Sequence, residues 1–421
     1  MNTGLRIFLT LIFFQILLSG EIQAQYTIDI CQKKAAENYP LIRQYGLIES
    51  SKMYDLKNAG MAYLPQVAFQ AKASYQSDVT EIPLNIPGIN IESLSKDQYN
   101  AAVQVDQLVW DGGITSLRKS AIRQQSELER SKVDVDMYAI KERVSQTYFG
   151  IVLIDKQIEQ LNLLLKDLDR NLNRIRSYMD NGLANQSDID LINVEIINAG
   201  QKMCELNAGR KAYISVLSSM MGVEPDFKAT FEVPQHLTVS KEIKRPELSV
   251  MANQSKLLDI QAGMVRSQLR PRFGLYFQAG YGRPGLNMLE NQFSPFYIAG
   301  VKAVWSLGGL YTRKNELNMI DINKKRIENT RDAFIYNTNL QVIIQSEEID
   351  KIAELLRRDD EIISLRERIL TAAEIKQSEG IISVSELMHE MNQLDGARVT
   401  RARHEVELLM AKYNLKITTN N

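Results

Sequence analysis

Long hydrophobic runs and cysteines are both scarce in this chain of 421 residues. After Leu18 no stretch is apolar enough for a transmembrane helix, which needs about 20 consecutive apolar residues. Only two cysteines occur, Cys31 and Cys204, so a disulfide framework is excluded and a single bridge stays open. Neither sign of charge dominates, because 50 Lys and Arg residues stand against 51 Asp and Glu residues. We therefore expect no nucleic-acid partner.

Residues that carry chemistry are equally sparse. The three histidines, His236, His389 and His404, lack the spacing of metal ligands, and no G-x-S-x-G nucleophile motif occurs. A match to G-x-G-x-x-G at Gly280–Gly285 runs into a polar loop, whereas dinucleotide binding needs a helix to begin there. We therefore expect no enzymatic activity, no cofactor and no bound metal.

The first residues have the three-part pattern of a secretory signal peptide. A basic start precedes the apolar run Ile7–Leu18, and Ala24 offers a cleavage site. Read as a membrane anchor instead, the run is too short to cross a bilayer as a helix. We expect a signal peptide over residues 1–24 and an exported mature chain.

The mature sequence consists of two copies of one unit. Four landmark pairs recur in the same order at offsets of 195 to 206 residues: Pro40 and Pro246, Pro65 and Pro271, Trp110 and Trp305, and Gly182 and Gly380. Such self-similarity indicates a duplicated architecture. We place repeat 1 at residues 25–225, a linker at 226–244 and repeat 2 at 245–421.

Each copy combines two short alternating segments with a very long helical one. Apolar and polar residues alternate at about 68–78, 100–110, 272–282 and 296–306, which predicts four β-strands. From Ile114 to Met179 no proline occurs and apolar residues recur every three and four positions. That pattern predicts a coiled-coil helix ~100 Å long. Turns at Asn181–Gly182 and Glu379–Gly380 then complete two helical hairpins.

Four strands cannot close a barrel, and unpaired strand edges are too costly in lipid. Three copies would supply twelve strands, an even number within the range of bacterial outer-membrane barrels. The expected fold class is therefore mixed α and β, with two tandem structural repeats. The assembly would be a trimeric twelve-stranded transmembrane β-barrel continued by a periplasmic α-helical barrel.

The order of helix, proline, strand, loop, strand, Gly-Gly and long helix is similar to that of the TolC-like outer-membrane efflux family. Tyr63–Val67, Gln107–Gly113 and Gly182–Asp188 resemble it most closely. The resemblance implies an outer-membrane channel subunit of a tripartite efflux or type I secretion system, which provides a passive export duct. The resemblance implies that the chain forms a homotrimer in outer-membrane lipid. The other implied partners are a periplasmic adaptor (membrane fusion) protein and an inner-membrane RND or ABC pump. A periplasmic coiled-coil scaffold without a membrane channel stays open, and so does the cargo.

The resemblance also implies two functional sites at the hairpin turns. Residues at the tips would dock the adaptor: Gly182, Leu183, Ala184, Asn185, Gly380, Ile381, Ile382 and Ser383. The family's pore constriction has aspartates six and nine residues after the second turn glycine. Glu386 and His389 occupy those positions here, so the first keeps a carboxylate and the second departs from the pattern. Asp188 matches the acidic position of the first hairpin. We expect Glu386, His389 and Asp188 to line a constriction of the pore.

Overall fold

The computed structural model of the protein describes residues 25–80, 93–182, 184–234 and 240–420. The expected signal peptide, the docking residue Leu183 and the linker residue His236 lie outside the described residues. No helix within these ranges is both long and apolar enough to cross a membrane.

Seven α-helices and six strands, with three short 3-10 helices, make up the described part of the chain. In order they are β1 (Gln25–Tyr26), α1 (Ile28–Asn38), α2 (Gln44–Gly60), β2 (Gln66–Tyr75), β3 (Asp97–Trp110), α3 (Ile114–Asp180), α4 (Gln186–Met221), β4 (Thr230–Phe231), α5 (Pro246–Ser267), β5 (Arg272–Arg283), β6 (Ser294–Val304), α6 (Arg313–Ser378) and α7 (Val384–Thr419). The expected mixed fold, with two main strands and a long helical hairpin in each repeat, is confirmed.

The chain divides into two compact units, described here separately. The helical unit contains Val133–Pro246, Ala333–Asn421 and the described part of Met1–Arg43. The sheet unit contains Gln44–Lys132 and Glu247–Asp332. Each unit therefore takes segments from both predicted repeats, and α3 and α6 contribute residues to both units.

The sheet unit holds one antiparallel sheet with the strand order β2-β3-β5-β6. Phe69 pairs with Val103, Val103 with Ala279, and Ala279 with Tyr297, so one row crosses all four strands. Side chains of residues paired in register lie on the same face of a sheet. The register therefore brings the apolar positions of both repeats onto one face.

The two faces of this sheet differ sharply in polarity. Odd-numbered residues form the apolar face, which includes Val67, Phe69, Ala71, Val103, Val105, Leu275, Phe277, Ala279, Tyr281, Tyr297, Ala299 and Val301. Even-numbered residues form the polar face, which includes Gln66, Gln70, Lys72, Gln98, Asn100, Gln104, Asp106, Gln278 and Lys302. Strands that alternate with period two separate the two chemistries in this way.

A buried aspartate organises the junction where β3 passes into α3. The carboxylate of Asp111 accepts hydrogen bonds from the backbone N–H groups of Gly113 (2.9 Å) and Thr115 (2.6 Å) and from the Tyr63 hydroxyl (3.1 Å). Gly112 and Gly113 have φ angles of +76° and +92°, which favour glycine. The structure thus joins two of the segments that the sequence singled out, Tyr63–Val67 and Gln107–Gly113.

Two buried clusters form the core of the helical unit. The first joins α1 and the middle of α3 to the ends of α4 and α7, and its largest members are Tyr148 and Phe149. The second runs along α3 and α4 and includes the start of α7. The spacing of three and four on α3 correctly predicts part of its buried side, namely Ile140, Val144, Ile151, Ile154, Leu161, Leu168, Leu172 and Ile175. Tyr148, Phe149 and Val152 are also buried, although the predicted seam of Val144, Thr147, Ile151 and Ile154 does not include them.

The sequence left open whether the two cysteines form a bridge, and the structure shows that they do not. Both Cys31 and Cys204 are free thiols. Cys31 lies in the first core cluster, where burial raises its pKa to about 12.

Within the linker, β4 pairs in parallel with β1, which attaches this segment to the start of the described chain.

Candidate functional site

Both helical hairpins turn on a glycine in the left-handed region. Gly182 and Gly380 each have a φ angle of +72°. The N–H of Gly182 donates to the carbonyl of Met179 (2.9 Å), and that of Gly380 donates to the carbonyl of Gln377 (3.1 Å). A Cβ atom at either glycine would meet nothing within 4 Å, so backbone conformation rather than crowding favours glycine here.

Each returning helix begins with a reciprocal capping box. The Asn185 side chain accepts from the N–H of Asp188 (3.1 Å), whose carboxylate accepts from the N–H of Asn185 (3.0 Å). The Ser383 hydroxyl accepts from the N–H of Glu386 (3.2 Å), whose carboxylate accepts from the N–H of Ser383 (2.8 Å). These contacts satisfy amides that a helix start leaves without an intrahelical partner.

This capping role of Asp188 and Glu386 was not predicted from the sequence. The signal was present, because Ser383-Val384-Ser385-Glu386 fits the S/T-x-x-E pattern of a capping box. Hydrogen bonds from the backbone N–H and the hydroxyl of Ser383 hold the pKa of Glu386 below its usual value. The carboxylate therefore stays charged while it caps α7.

The expected docking residues differ in exposure. Ile381 is 64% exposed at the second tip, and Ser383 is also exposed, whereas Ile382 is half-buried. At the first tip Gly182 and Asn185 are exposed, whereas Ala184 packs against the second core cluster. The second tip therefore presents an exposed apolar side chain, that of Ile381.

Two of the three expected constriction residues lie together. Glu386 and His389 are both exposed on α7 and line a groove of about 610 Å³, together with Lys376 and Ile369 of α6. Asp188 is not among the residues that line this groove. Within the described residues no group of three His, Cys, Asp or Glu side chains could hold a metal ion.

Aromatic pairs mark both ends of the apolar face of the sheet. At the loop end Tyr281 stacks on Phe293 with ring centroids 5.7 Å apart, and Tyr99 stacks on Phe293 at 6.1 Å. At the helix end Trp110 stacks on Phe273 at 5.8 Å. The face between these pairs carries mainly aliphatic and small side chains.

The fold is that of solved outer-membrane channels. CusC, whose structures concern transmembrane channel formation, matches over 93% of this chain and 91% of its own, with a TM-score of 0.65 and 13% identity. VceC of Vibrio cholerae matches over 93% and 94%, with a TM-score of 0.62 and 12% identity. The open state of the Neisseria gonorrhoeae MtrE channel matches over 94% and 89%, with a TM-score of 0.62 and 13% identity. The mixed fold expected for the single chain is therefore confirmed. No family model and no curated protein matches the sequence.

The capping box at the second tip predicts a local loss of stability in Ser383→Ala. Removing the acceptor of the Glu386 N–H should destabilise the start of α7 by about 1 kcal/mol and speed its amide exchange roughly fivefold. Hydrogen exchange of the α7 amides measures this change. Ser385→Ala, which alters an exposed serine of the same turn, is the matched control. Equal exchange rates in the two variants would contradict the assigned role.

Proposed function

We propose that this protein is a channel subunit of the bacterial outer membrane, and that three copies form a passive export duct across the outer membrane and periplasm. The observation that carries the proposal is the four-stranded sheet, with its apolar face and two free edges. It belongs to a chain that shares its fold with solved outer-membrane channels.

The apolar face of the sheet fits a lipid surface. Phe69 is 72% exposed and Val301 is 73% exposed, and both lie on that face. Burying apolar surface yields roughly 25 cal/mol per Å², so covering this face with lipid is strongly favourable. A periplasmic scaffold would leave the same large patch in water, where such patches promote aggregation. This contrast favours the channel over the scaffold.

The edges of the sheet support closure through further copies. Among the described strands, β2 pairs only with β3 and β6 pairs only with β5, so each has one edge without a strand partner. In lipid each unsatisfied backbone group costs several kcal/mol, which excludes an open sheet. Three copies would join β6 of one to β2 of the next and close a barrel of twelve strands.

The aromatic pairs support a membrane-sized apolar band. Phe273 and Tyr281 lie eight residues apart on β5. That separation corresponds to about 27 Å along a strand. At the usual strand tilt of roughly 40° it spans on the order of 20 Å of membrane thickness, close to the ~25 Å band of outer-membrane barrels. Aromatic residues typically lie at both borders of that band.

A row of exposed apolar residues on α6 supports association of copies through the helices. Its members are Tyr336, Leu340, Ile343, Ile344, Leu355, Ile362, Leu365 and Ile369. Most of these residues are spaced by three, four or seven, which is the pattern of a helix face that packs against another helix. A trimer would bury this row between subunits.

Reversing the polarity of the apolar face should prevent membrane assembly. Phe277→Arg places a charge on the central part of this face, where Arg at the bilayer midplane costs roughly 2–4 kcal/mol. Gln278→Arg adds the same side chain to the polar face and is the matched control. We expect the first variant to be lost from the outer-membrane fraction and the second to be retained. Equal recovery of both variants as membrane trimers would contradict the assignment of faces.

We further propose that the hairpin tips dock a periplasmic adaptor, which links the duct to an inner-membrane RND or ABC pump. The exposed Ile381 and the turn geometry shared by Gly182 and Gly380 support this role. The tip surface comprises Gly182, Leu183, Ala184, Asn185, Gly380, Ile381, Ile382 and Ser383. The capping boxes hold both turns in shape without the partner, which lowers the entropic cost of docking.

A double variant, Leu183→Asp with Ile381→Asp, should abolish export while the trimer still assembles. The introduced charges would have to be desolvated against an apolar partner surface. Export is measured in cells that depend on this protein, and assembly is measured on extracted membranes. Full export by the double variant would contradict docking at the tips.

Glu386, His389 and Asp188 form the proposed constriction. Threefold symmetry would turn one inward-facing carboxylate into a ring of three, and such rings favour cations. The lowered pKa of Glu386 keeps its charge in place well into the acidic range. His389 shares the groove with Glu386, so it lies where a positive charge would weaken the ring.

Glu386→Gln removes the negative charge but keeps the helix cap, because glutamine also serves at this position of a capping box. We expect purified channels in planar bilayers to prefer cations, and the variant to shift the reversal potential in a salt gradient toward zero. An unchanged reversal potential would place Glu386 outside the ion path. The helix start should remain intact, as hydrogen exchange at the α7 amides can check.

A further inference from the structure

Two aromatic rings lie on the polar face of the sheet, which also carries Leu108 and Ile298. Tyr276 and Phe296 occupy even-numbered positions on β5 and β6, among glutamines and a lysine. Both are half-buried, whereas Tyr297 on the opposite face is 72% exposed.

Each of these rings rests on a glycine of the neighbouring strand. Tyr276 pairs with Gly300, and Phe296 pairs with Gly280. A Cβ atom at Gly300 would lie 2.7 Å from the Tyr276 hydroxyl oxygen and 2.8 Å from two of its ring carbons. A Cβ atom at Gly280 would lie 2.6 Å from the Cζ of Phe296. Because glycine has no side chain, Gly300 and Gly280 leave the space that the two rings occupy.

We propose that Gly300 and Gly280 are seats that hold Tyr276 and Phe296 flat against the inner wall of the duct and so set the width of its lumen. The inference rests on the proposed function, because only a closed sheet makes the polar face the wall of a lumen. Three copies would repeat both seats around the duct, so that displaced rings would narrow it from three sides.

Gly300 offers the cleaner test of the two seats. The three heavy atoms nearest to a Cβ at Gly300 all belong to the Tyr276 side chain. A Cβ at Gly280 would also approach the backbone oxygen of Ala101 at 2.8 Å, so a substitution there would disturb the strand itself. At Gly300 the new side chain has to displace the ring, and the free direction is away from the sheet.

The experiment measures the lumen from the loop side, with the purified full-length protein in planar bilayers. Polyethylene glycols of graded size are added on that side, and the largest polymer that still lowers the conductance gives the width of the entrance. This readout reports the sheet region even if a narrower constriction lies elsewhere along the duct. Gly300→Val is the test variant. Ala299→Val, which adds bulk on the opposite face of the same strand, is the matched control.

We expect Gly300→Val to exclude polymers that enter the unaltered channel, and Ala299→Val to admit them. Adding Tyr276→Ala to Gly300→Val should restore entry, because the displaced ring is then gone. Failure of Gly300→Val to assemble, with assembly recovered in the double variant, would also support the seat. Loss of assembly in both variants, or an unchanged cut-off in Gly300→Val, would overturn it. Absence of any channel in the unaltered protein would instead contradict the proposed function.

Discussion

The backbone polar groups at the outer edges of the sheet place the strongest constraint on how this protein can exist in its surroundings. β2 and β6 each leave one row of N–H and C=O groups without a strand partner among the described residues. The same sheet exposes a continuous apolar face. A soluble protein would protect such edges and cover such a face, because both promote aggregation. Lipid on the face and further copies at the edges satisfy both requirements together.

The segment Asp111–Gly113 joins the sheet to the start of the long helix α3. Asp111 accepts hydrogen bonds from the first turn of α3 and from the Tyr63 hydroxyl, so it ties the end of β3 to the segment that precedes β2. The carbonyl of Gly112 accepts from Ser267 and Arg270, which extends the junction to the second repeat. The Asp111 carboxylate and the Gly112 carbonyl thus join the end of β3 to both repeats.

The sequence predicts the elements better than their arrangement. Period-two alternation is a local signal and correctly predicts the four strands of the main sheet, whereas the short pair β1 and β4 was not predicted. The spacing of three and four correctly predicts part of the buried side of α3. The pairing of β3 with β5 joins the two repeats, and no local pattern specifies which strands of different repeats become neighbours. At the tips, the resemblance predicts a constriction at Glu386, whereas the local pattern Ser383-x-x-Glu386 encodes a helix cap, which the structure shows. The glycine seats of Tyr276 and Phe296 depend on register, which the sequence alone does not give.

The most direct test of the channel is the mass and location of the native protein. Cells that produce the full chain are separated into periplasmic, inner-membrane and outer-membrane fractions. The protein is then extracted in mild detergent and its native mass is measured. We expect recovery from the outer membrane at the mass of three chains, and dissociation only on denaturation. A single chain in the soluble periplasm would contradict the proposed channel.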